Sequence, residues 1–80
     1  MNSKILFFSA PWCGPCKGMK KVLNESILKD LNIEIIDITE EVDLASKYMI
    51  MNVPTFIKLE NNNEVSRKSG SVTIEQLKNL

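Results

Sequence analysis

The sequence predicts an α/β fold with a four-stranded mixed sheet and helices on both of its faces. Runs of bulky apolar residues at positions 4–8 and 33–38 are separated by a stretch with helical spacing, which is the pattern of a βαβ unit with two parallel strands. Further along, an apolar run and a polar run are joined by three asparagines, which predicts an antiparallel hairpin. At 80 residues, the chain is expected to form one domain over residues 1–80.

The first half of the chain is predicted to be a strand, a helix and a second strand. Residues 4–8 show no polar alternation, which favours a strand covered on both faces. Between about Gly14 and Lys29, the spacing predicts one continuous helix with a single face on the core. That face consists of Met19, Val22, Leu23, Ser26 and Ile27. Residues 33–38 are nearly continuous in isoleucine, so we expect this strand to be central as well.

A short second helix and a third strand follow. Thr39 is a suitable N-cap for a helix that runs to about Tyr48. Pro54 can begin a strand but cannot lie inside one. We therefore expect the third strand over residues 54–59.

The chain is predicted to end with an edge strand and a third helix. Residues 64–68 contain Arg67 and Lys68, and charged side chains of this kind are typical of a sheet edge. Thr73 and Gln76 match a capping box, which indicates the start of a final helix. The predicted order of elements is therefore β-α-β-α-β-β-α.

Composition excludes several classes of function. Ten basic and ten acidic residues give a formal net charge of zero, which argues against nucleic acid as a partner. The chain has no apolar region long enough for a signal peptide or a membrane span. We therefore expect a soluble, cytoplasmic protein without a membrane partner. In that reducing compartment, a close cysteine pair is more often catalytic or metal-binding than structural.

The two cysteines, Cys13 and Cys16, are three residues apart at the predicted start of the first helix. Helix geometry places their α-carbons about 5 Å apart, within the range that a disulfide requires. Unpaired amides and the helix dipole favour an anion at Cys13, and Lys17 adds to this effect. Cys13 is therefore predicted to be the attacking thiolate and Cys16 the resolving thiol, while Pro15 limits the freedom of the turn.

Two other interpretations of the cysteine pair remain open. A structural zinc site needs about four ligands, and two cysteines with no histidine could supply it only by sharing the metal between chains. The pair could also be an inert disulfide. Its loop is so short, however, that chain entropy gives only about 2 kcal/mol of stabilisation.

Residues 8–17 contain Trp12-Cys13-Gly14-Pro15-Cys16-Lys17, which resembles the active-site segment of thioredoxins. The resemblance implies that Cys13 and Cys16 form a redox-active disulfide. It also implies that the other four residues of the motif support the pair, with Trp12 either in the contact surface or packed against the fold. The expected architecture is then a minimal thioredoxin fold of glutaredoxin size, because the first strand and helix of full-length thioredoxins have no counterpart here.

Residues 47–55 resemble a second thioredoxin segment, which ends in Val-Pro-Thr and contains a cis proline. This likeness implies that Pro54 lies beside the cysteines and that Val53 and Thr55 belong to the substrate-binding segment. Val53 would offer backbone hydrogen bonds to an extended substrate peptide. Gly70 falls where the family has a glycine that lets substrate backbone approach, although an ordinary turn explains it nearly as well.

The sequence departs from the family in the interior. Phe7 occupies the position of the buried aspartate that thioredoxins carry six residues before the first cysteine, and Ile35 aligns with the lysine that partners it. The usual proton acceptor for Cys16 is therefore absent. Solvent could take its place, and Asp37 is a weaker candidate.

The resemblance implies a monomeric protein-disulfide reductase with no bound cofactor. Electrons would come from NADPH through a flavin-dependent thioredoxin reductase and pass to protein disulfides, with ribonucleotide reductase among the candidates. A glutathione-dependent, glutaredoxin-like enzyme is the alternative. Against it, Gly14-Pro15 replaces the Pro-Tyr of many glutaredoxins, and Ser71-Val72 lacks their acidic residue for glutathione. The third possibility is a binding module that does not use its cysteines.

Overall fold

Four strands form one mixed sheet in the computed structural model, which describes residues 2–80. The strands are β1 (Ser3–Ser9), β2 (Ile33–Asp37), β3 (Thr55–Glu60) and β4 (Asn63–Ser69). β1 pairs in parallel with β2 and antiparallel with β3, and β3 pairs antiparallel with β4, which gives the order β2-β1-β3-β4. The predicted mixed sheet, its parallel first pair and its C-terminal hairpin are confirmed.

Helices cover both faces of the sheet, as the sequence predicts. They are α1 (Gly14–Val22), α2 (Glu25–Asp30), α3 (Val42–Lys47) and α4 (Ile74–Lys78). Alternate residues of β1 face opposite sides: Phe7 belongs to a core with residues of α1, α2 and α4, whereas Phe8 belongs to a core with Leu44 of α3. β1 is therefore buried on both faces, as its continuous apolar run indicates. None of the helices within residues 2–80 is long and apolar enough to cross a membrane.

The prediction of a single helix over residues 14–29 is wrong. The chain breaks at Leu23 and Asn24, and the Asn24 side chain caps α2 by accepting a hydrogen bond from the Ile27 amide at 3.0 Å. Asparagine side chains compete with the helical backbone in this way and favour N-cap positions. As a result, Val22 and Ser26 of the predicted stripe are exposed.

The prediction that the second strand is central is also wrong. β2 lies at the edge of the sheet and pairs only with β1. Ile36 is buried, whereas Ile35 is 40% exposed. A continuous isoleucine run shows that a strand is apolar, but it does not show whether both edges of that strand find a partner. The second central strand is β3.

Helix α3 begins later than predicted, because Thr39 is not its N-cap. The Thr39 amide and hydroxyl both donate to Asp37 Oδ1, at 2.8 and 2.6 Å. This turn carries the chain on to Glu41, which is the N-cap but makes no side-chain capping bond. Asparagine and aspartate side chains commonly build such local turns with the backbone two residues on.

The C-terminal elements agree with the sequence prediction. Asn61 and Asn62 have positive φ angles of 53° and 69°, which a two-residue type I′ hairpin turn requires and asparagine tolerates. β4 is an edge strand. The capping box is present. The backbone amide of Gln76 donates to Thr73 Oγ1, and the backbone amide of Thr73 donates to the side-chain Oε1 of Gln76.

Candidate active site

Cys13 and Cys16 form a disulfide at the start of α1, with their α-carbons 5.3 Å apart. Cys13 is the N-cap, and its Sγ accepts a hydrogen bond from the Cys16 amide at 3.1 Å. Gly14 and Pro15 form the first turn, where proline loses no helical hydrogen bond because the first amides of a helix have no intrahelical acceptor. The local sequence thus fixes both the spacing of the sulfurs and their place at a helix N-terminus.

The two cysteine residues are both buried, but Cys13 retains some exposure. Cys13 is 5% exposed and Cys16 is 0% exposed. Gly14, Pro15 and Lys17 are exposed around them. Cys13 is therefore the outer residue of the pair, and Cys16 lies behind it in the core.

Two stacked aromatic rings belong to the same core as the disulfide. Phe7 of β1 and Phe56 of β3 are fully buried, with ring centroids 4.6 Å apart and an interplanar angle of 19°. Both cysteines belong to this core together with Met19 and Leu77. The cysteine pair therefore belongs to a core whose clustered side chains are apolar.

No carboxylate replaces the one that Phe7 displaces. Among residues 2–80, Ser9 and Thr55 are the buried polar side chains, and the interior contains no buried acid. Asp37 is only partly buried. The hydrogen bond from the Thr39 hydroxyl, followed by that from the Thr39 amide, lowers the pKa of Asp37. Asp37 Oδ1 already accepts both hydrogen bonds from Thr39, so the structure does not favour Asp37 as the proton acceptor for Cys16.

A second segment of the predicted site lies just before β3. The Val53–Pro54 peptide bond is cis, and Pro54 is buried. The Gly70 amide donates to the Pro54 carbonyl at 2.8 Å, so the structure brings these two predicted site residues together. Gly70 has a φ of +89°, a conformation that favours glycine.

Thr55 contributes to the interior of this segment. Its side chain is buried, and its hydroxyl donates to the Asn52 carbonyl at 2.6 Å. The same hydroxyl lies 3.3 Å from Ser69 Oγ on the neighbouring strand. Because its hydroxyl is engaged within the protein, Thr55 braces the loop instead of presenting its side chain to a substrate.

A groove of about 230 Å³ lies on the surface beside the disulfide. It is lined by Trp12, Ile38, Ile50, Met51, Asn52 and Val53. Trp12 is 69% exposed, so of its two sequence interpretations the structure favours the contact surface. Val53 joins the groove to the core that contains both cysteines. The groove is therefore an apolar surface next to the sulfur pair.

Sequence reasoning missed three lining residues, Ile38, Ile50 and Asn52. Met51, which also lines the groove, is 87% exposed. The available signal was the position of Ile38 directly after a buried strand and of Ile50 close before Pro54. Within residues 2–80, no group of three or more cysteine or carboxylate side chains could hold a metal ion.

Comparisons with known proteins agree on one family. The sequence profile described as Thioredoxin matches residues 2–80. The thioredoxin of Bacillus subtilis is 38% identical over 76 residues, which are 91% of this chain and 73% of that protein. Thioredoxin-1 of Caenorhabditis elegans is 37% identical over 73 residues, covering 89% of this chain and 64% of that protein. The crystal structure of Fasciola hepatica thioredoxin superposes with a TM-score of 0.85 at 27% identity, covering 98% of this chain and 76% of that one.

Proposed function

Because the chain belongs to the thioredoxin family, we propose that it reduces disulfide bonds in other proteins through Cys13 and Cys16. Relatives in this family support a thiol–disulfide oxidoreductase that uses a redox-active disulfide and no bound cofactor. One observation carries the proposal for this chain. The bonded cysteines lie at a helix N-terminus beside an open apolar groove.

The first step is attack by the outer sulfur. In the reduced protein, the amides at the start of α1 and the helix dipole favour the thiolate of Cys13. The Cys16 amide already points at that sulfur. The Cys13 thiolate attacks one sulfur of the substrate disulfide, and the other substrate sulfur leaves as a thiolate that takes a proton from solvent.

The second step releases the substrate. Cys16 loses its proton, attacks Cys13 Sγ in the mixed disulfide and displaces the remaining substrate sulfur. The substrate gains two electrons, and the Cys13–Cys16 bond forms. The interior of residues 2–80 holds no buried acid, and the Asp37 carboxylate is engaged by Thr39. We therefore assign water at the disulfide surface as the proton acceptor for Cys16.

The groove and the neighbouring loop would hold the substrate chain. Val53 lies at the groove, and its backbone would pair with an extended substrate segment in the manner of an added strand. Pro54 follows Val53 directly, and a hydrogen bond joins it to Gly70, so both would lie close to the bound segment. Trp12 covers the other side, next to Cys13. Gly14, Pro15 and Lys17 complete the exposed rim around the pair.

The electron donor is assigned to a flavin-dependent thioredoxin reductase that uses NADPH. The proposal extends to a single monomeric domain acting in the cytoplasm, with protein disulfides such as that of ribonucleotide reductase as substrates. The test compares two recycling systems for insulin reduction by the purified protein. One contains NADPH and thioredoxin reductase, and the other contains NADPH, glutathione and glutathione reductase. Turnover is expected with the first system, and turnover with glutathione alone would contradict the assignment.

Replacing Cys16 with serine is expected to trap the reaction halfway. Cys13 still attacks the substrate, but no second thiol displaces it. The variant should therefore accumulate a mixed disulfide with insulin, visible as a mass increase that dithiothreitol removes. The double variant Cys13→Ser/Cys16→Ser is the matched control and should form no adduct. A stable adduct on Cys13→Ser instead would reverse the roles of the two cysteines.

A further inference from the structure

Arg67 connects the edge strand β4 to the end of helix α3. Its Nε donates to Glu64 Oε2 at 2.6 Å, and its Nη2 donates to Glu64 Oε1 at 2.8 Å. The same Nη2 also donates to the Tyr48 carbonyl at 2.9 Å. Glu64 therefore holds the guanidinium by two of its three nitrogens, and Nη2 also reaches a backbone carbonyl 19 residues away in sequence.

The geometry of this contact matters more than its contribution to stability. The Arg67 and Glu64 side chains are 37% and 31% exposed. Ion pairs with this much solvent contact contribute little to the free energy of unfolding. A bidentate pair nevertheless fixes the plane of the guanidinium. The guanidinium is therefore a rigidly held donor to the Tyr48 carbonyl.

The Tyr48 carbonyl lies at the C-terminus of α3. Tyr48 is the C-cap, where backbone carbonyls lack helical partners and the helix dipole favours a positive charge. The chain turns sharply at the next residue. Met49 has a φ of +53°, and its amide donates a hydrogen bond to the Ser46 carbonyl. The Ile50 amide then bonds to the Ala45 carbonyl. From here the chain enters the segment that lines the groove.

We call residues 50–53 the groove segment. Hydrogen bonds hold the chain on both sides of it, one from Arg67 of β4 and one from Gly70, the residue after β4. At its C-terminal end, the Gly70 amide bonds to the Pro54 carbonyl at 2.8 Å. At its N-terminal end, Arg67 bonds to Tyr48. Between these anchors lies Met51, which is 87% exposed. The Asn52 carbonyl also accepts a hydrogen bond from the Thr55 hydroxyl, so Arg67 supplies the anchor at the N-terminal end of the groove wall.

We propose that Arg67 is a positioning residue that holds the groove segment in the shape that receives a protein substrate. This inference rests on the proposed disulfide reductase function. Arg67 does not touch the substrate or the reacting sulfurs. It acts through the Tyr48 carbonyl, and Glu64 acts through Arg67. Loss of the anchor should weaken binding of an extended protein segment without changing the chemistry of the cysteines.

The test uses the full chain and two disulfide substrates of different size. With dithiothreitol as reductant, Arg67→Ala is expected to raise KM for insulin about five- to tenfold, an effect of the size of one typical hydrogen bond. The kcat for insulin should stay within about twofold, because the sulfur pair is unchanged. The rate of reaction of the reduced protein with 5,5′-dithiobis(2-nitrobenzoic acid), which is too small to need the groove, should also stay the same.

Two further variants and a local measurement separate positioning from general damage. Arg67→Lys keeps a cation but loses the fork, so it should give an intermediate KM. Lys68→Ala, an exposed neighbour on the same strand, is the matched control and should leave KM unchanged. Hydrogen exchange at the Met49 and Ile50 amides should accelerate in Arg67→Ala. Exchange in β1 should not.

The possible outcomes distinguish this inference from the proposed function. Unchanged KM for insulin in Arg67→Ala, with an active wild-type protein, would overturn the inference alone. Equal losses with insulin and with the small disulfide would also overturn it, because the change would then act on the sulfur pair. If Arg67→Ala does not fold, an unchanged KM in Glu64→Gln would have the same meaning. An inactive wild-type protein would overturn the proposed function, and the inference with it.

Discussion

Replacing Cys13 with serine is expected to lower insulin reduction by at least about 10³-fold, since loss of a catalytic nucleophile typically has effects of this size or larger. Serine can take over the structural role, because it is a favoured N-cap and its hydroxyl can accept the hydrogen bond from the Cys16 amide. The fold should therefore survive while the chemistry is lost. Stopped-flow or turbidity measurements of insulin reduction with dithiothreitol give the rate.

The stability of Cys13→Ser must be compared with that of the reduced wild-type protein. In the oxidised wild type, the disulfide itself contributes about 2 kcal/mol to the free energy of unfolding. Cys16→Ser is the matched control: it also lacks the disulfide, but it keeps the outer thiol. Iodoacetamide at neutral pH should label Cys16→Ser faster than Cys13→Ser. A wild-type rate no higher than that of dithiothreitol alone would indicate a binding module that does not use its cysteines. An unchanged rate in Cys13→Ser, or equal labelling of the two variants, would contradict the assignment of roles.

The chemical centre of this molecule could be predicted from sequence because it is local. Cys13 and Cys16 are one helical turn apart, and the break before the helix lies within three residues of them. The predicted separation of about 5 Å agrees with the observed 5.3 Å. Capping by Thr73 and Gln76 was predictable for the same reason, since both partners lie in one turn.

Competition between local hydrogen bonds explains the errors in the helices. Asn24 ends one helix and starts another, although the apolar spacing continues across it. Asp37 captures Thr39 and so delays α3. In both places a polar side chain forms a local hydrogen bond that competes with the regular helix. Apolar periodicity carries no information about such hydrogen bonds.

The groove and its anchor depend on contacts between distant parts of the chain. Trp12, Ile38 and Met51 line one surface although each lies in a different connection. Arg67 was interpreted only as a charge that protects a sheet edge. Its second role becomes visible when β4 pairs with β3 and brings the guanidinium to Tyr48. Neither juxtaposition follows from residue spacing.

Truncating Phe56 to alanine is expected to destabilise the domain by about 3–5 kcal/mol, the usual range for removing a buried phenylalanine. Phe56 is fully buried and stacks on Phe7, so the variant loses both burial and an aromatic pair. An 80-residue domain has a total stability of only about 4–12 kcal/mol. The variant should therefore lose a large part of the free energy of unfolding of the domain. Urea unfolding of the reduced protein, followed by far-UV circular dichroism, measures the change.

The control for Phe56→Ala is Val65→Ala on the neighbouring strand. Val65 is 52% exposed, and surface substitutions of this kind stay within about 0.5 kcal/mol. Phe56→Leu should fall between the two, because leucine refills part of the space. A loss below about 1 kcal/mol in Phe56→Ala would show that the aromatic stack is not the centre of this core. The larger loss would show that the stack of Phe56 on Phe7 is central to the stability of this small domain.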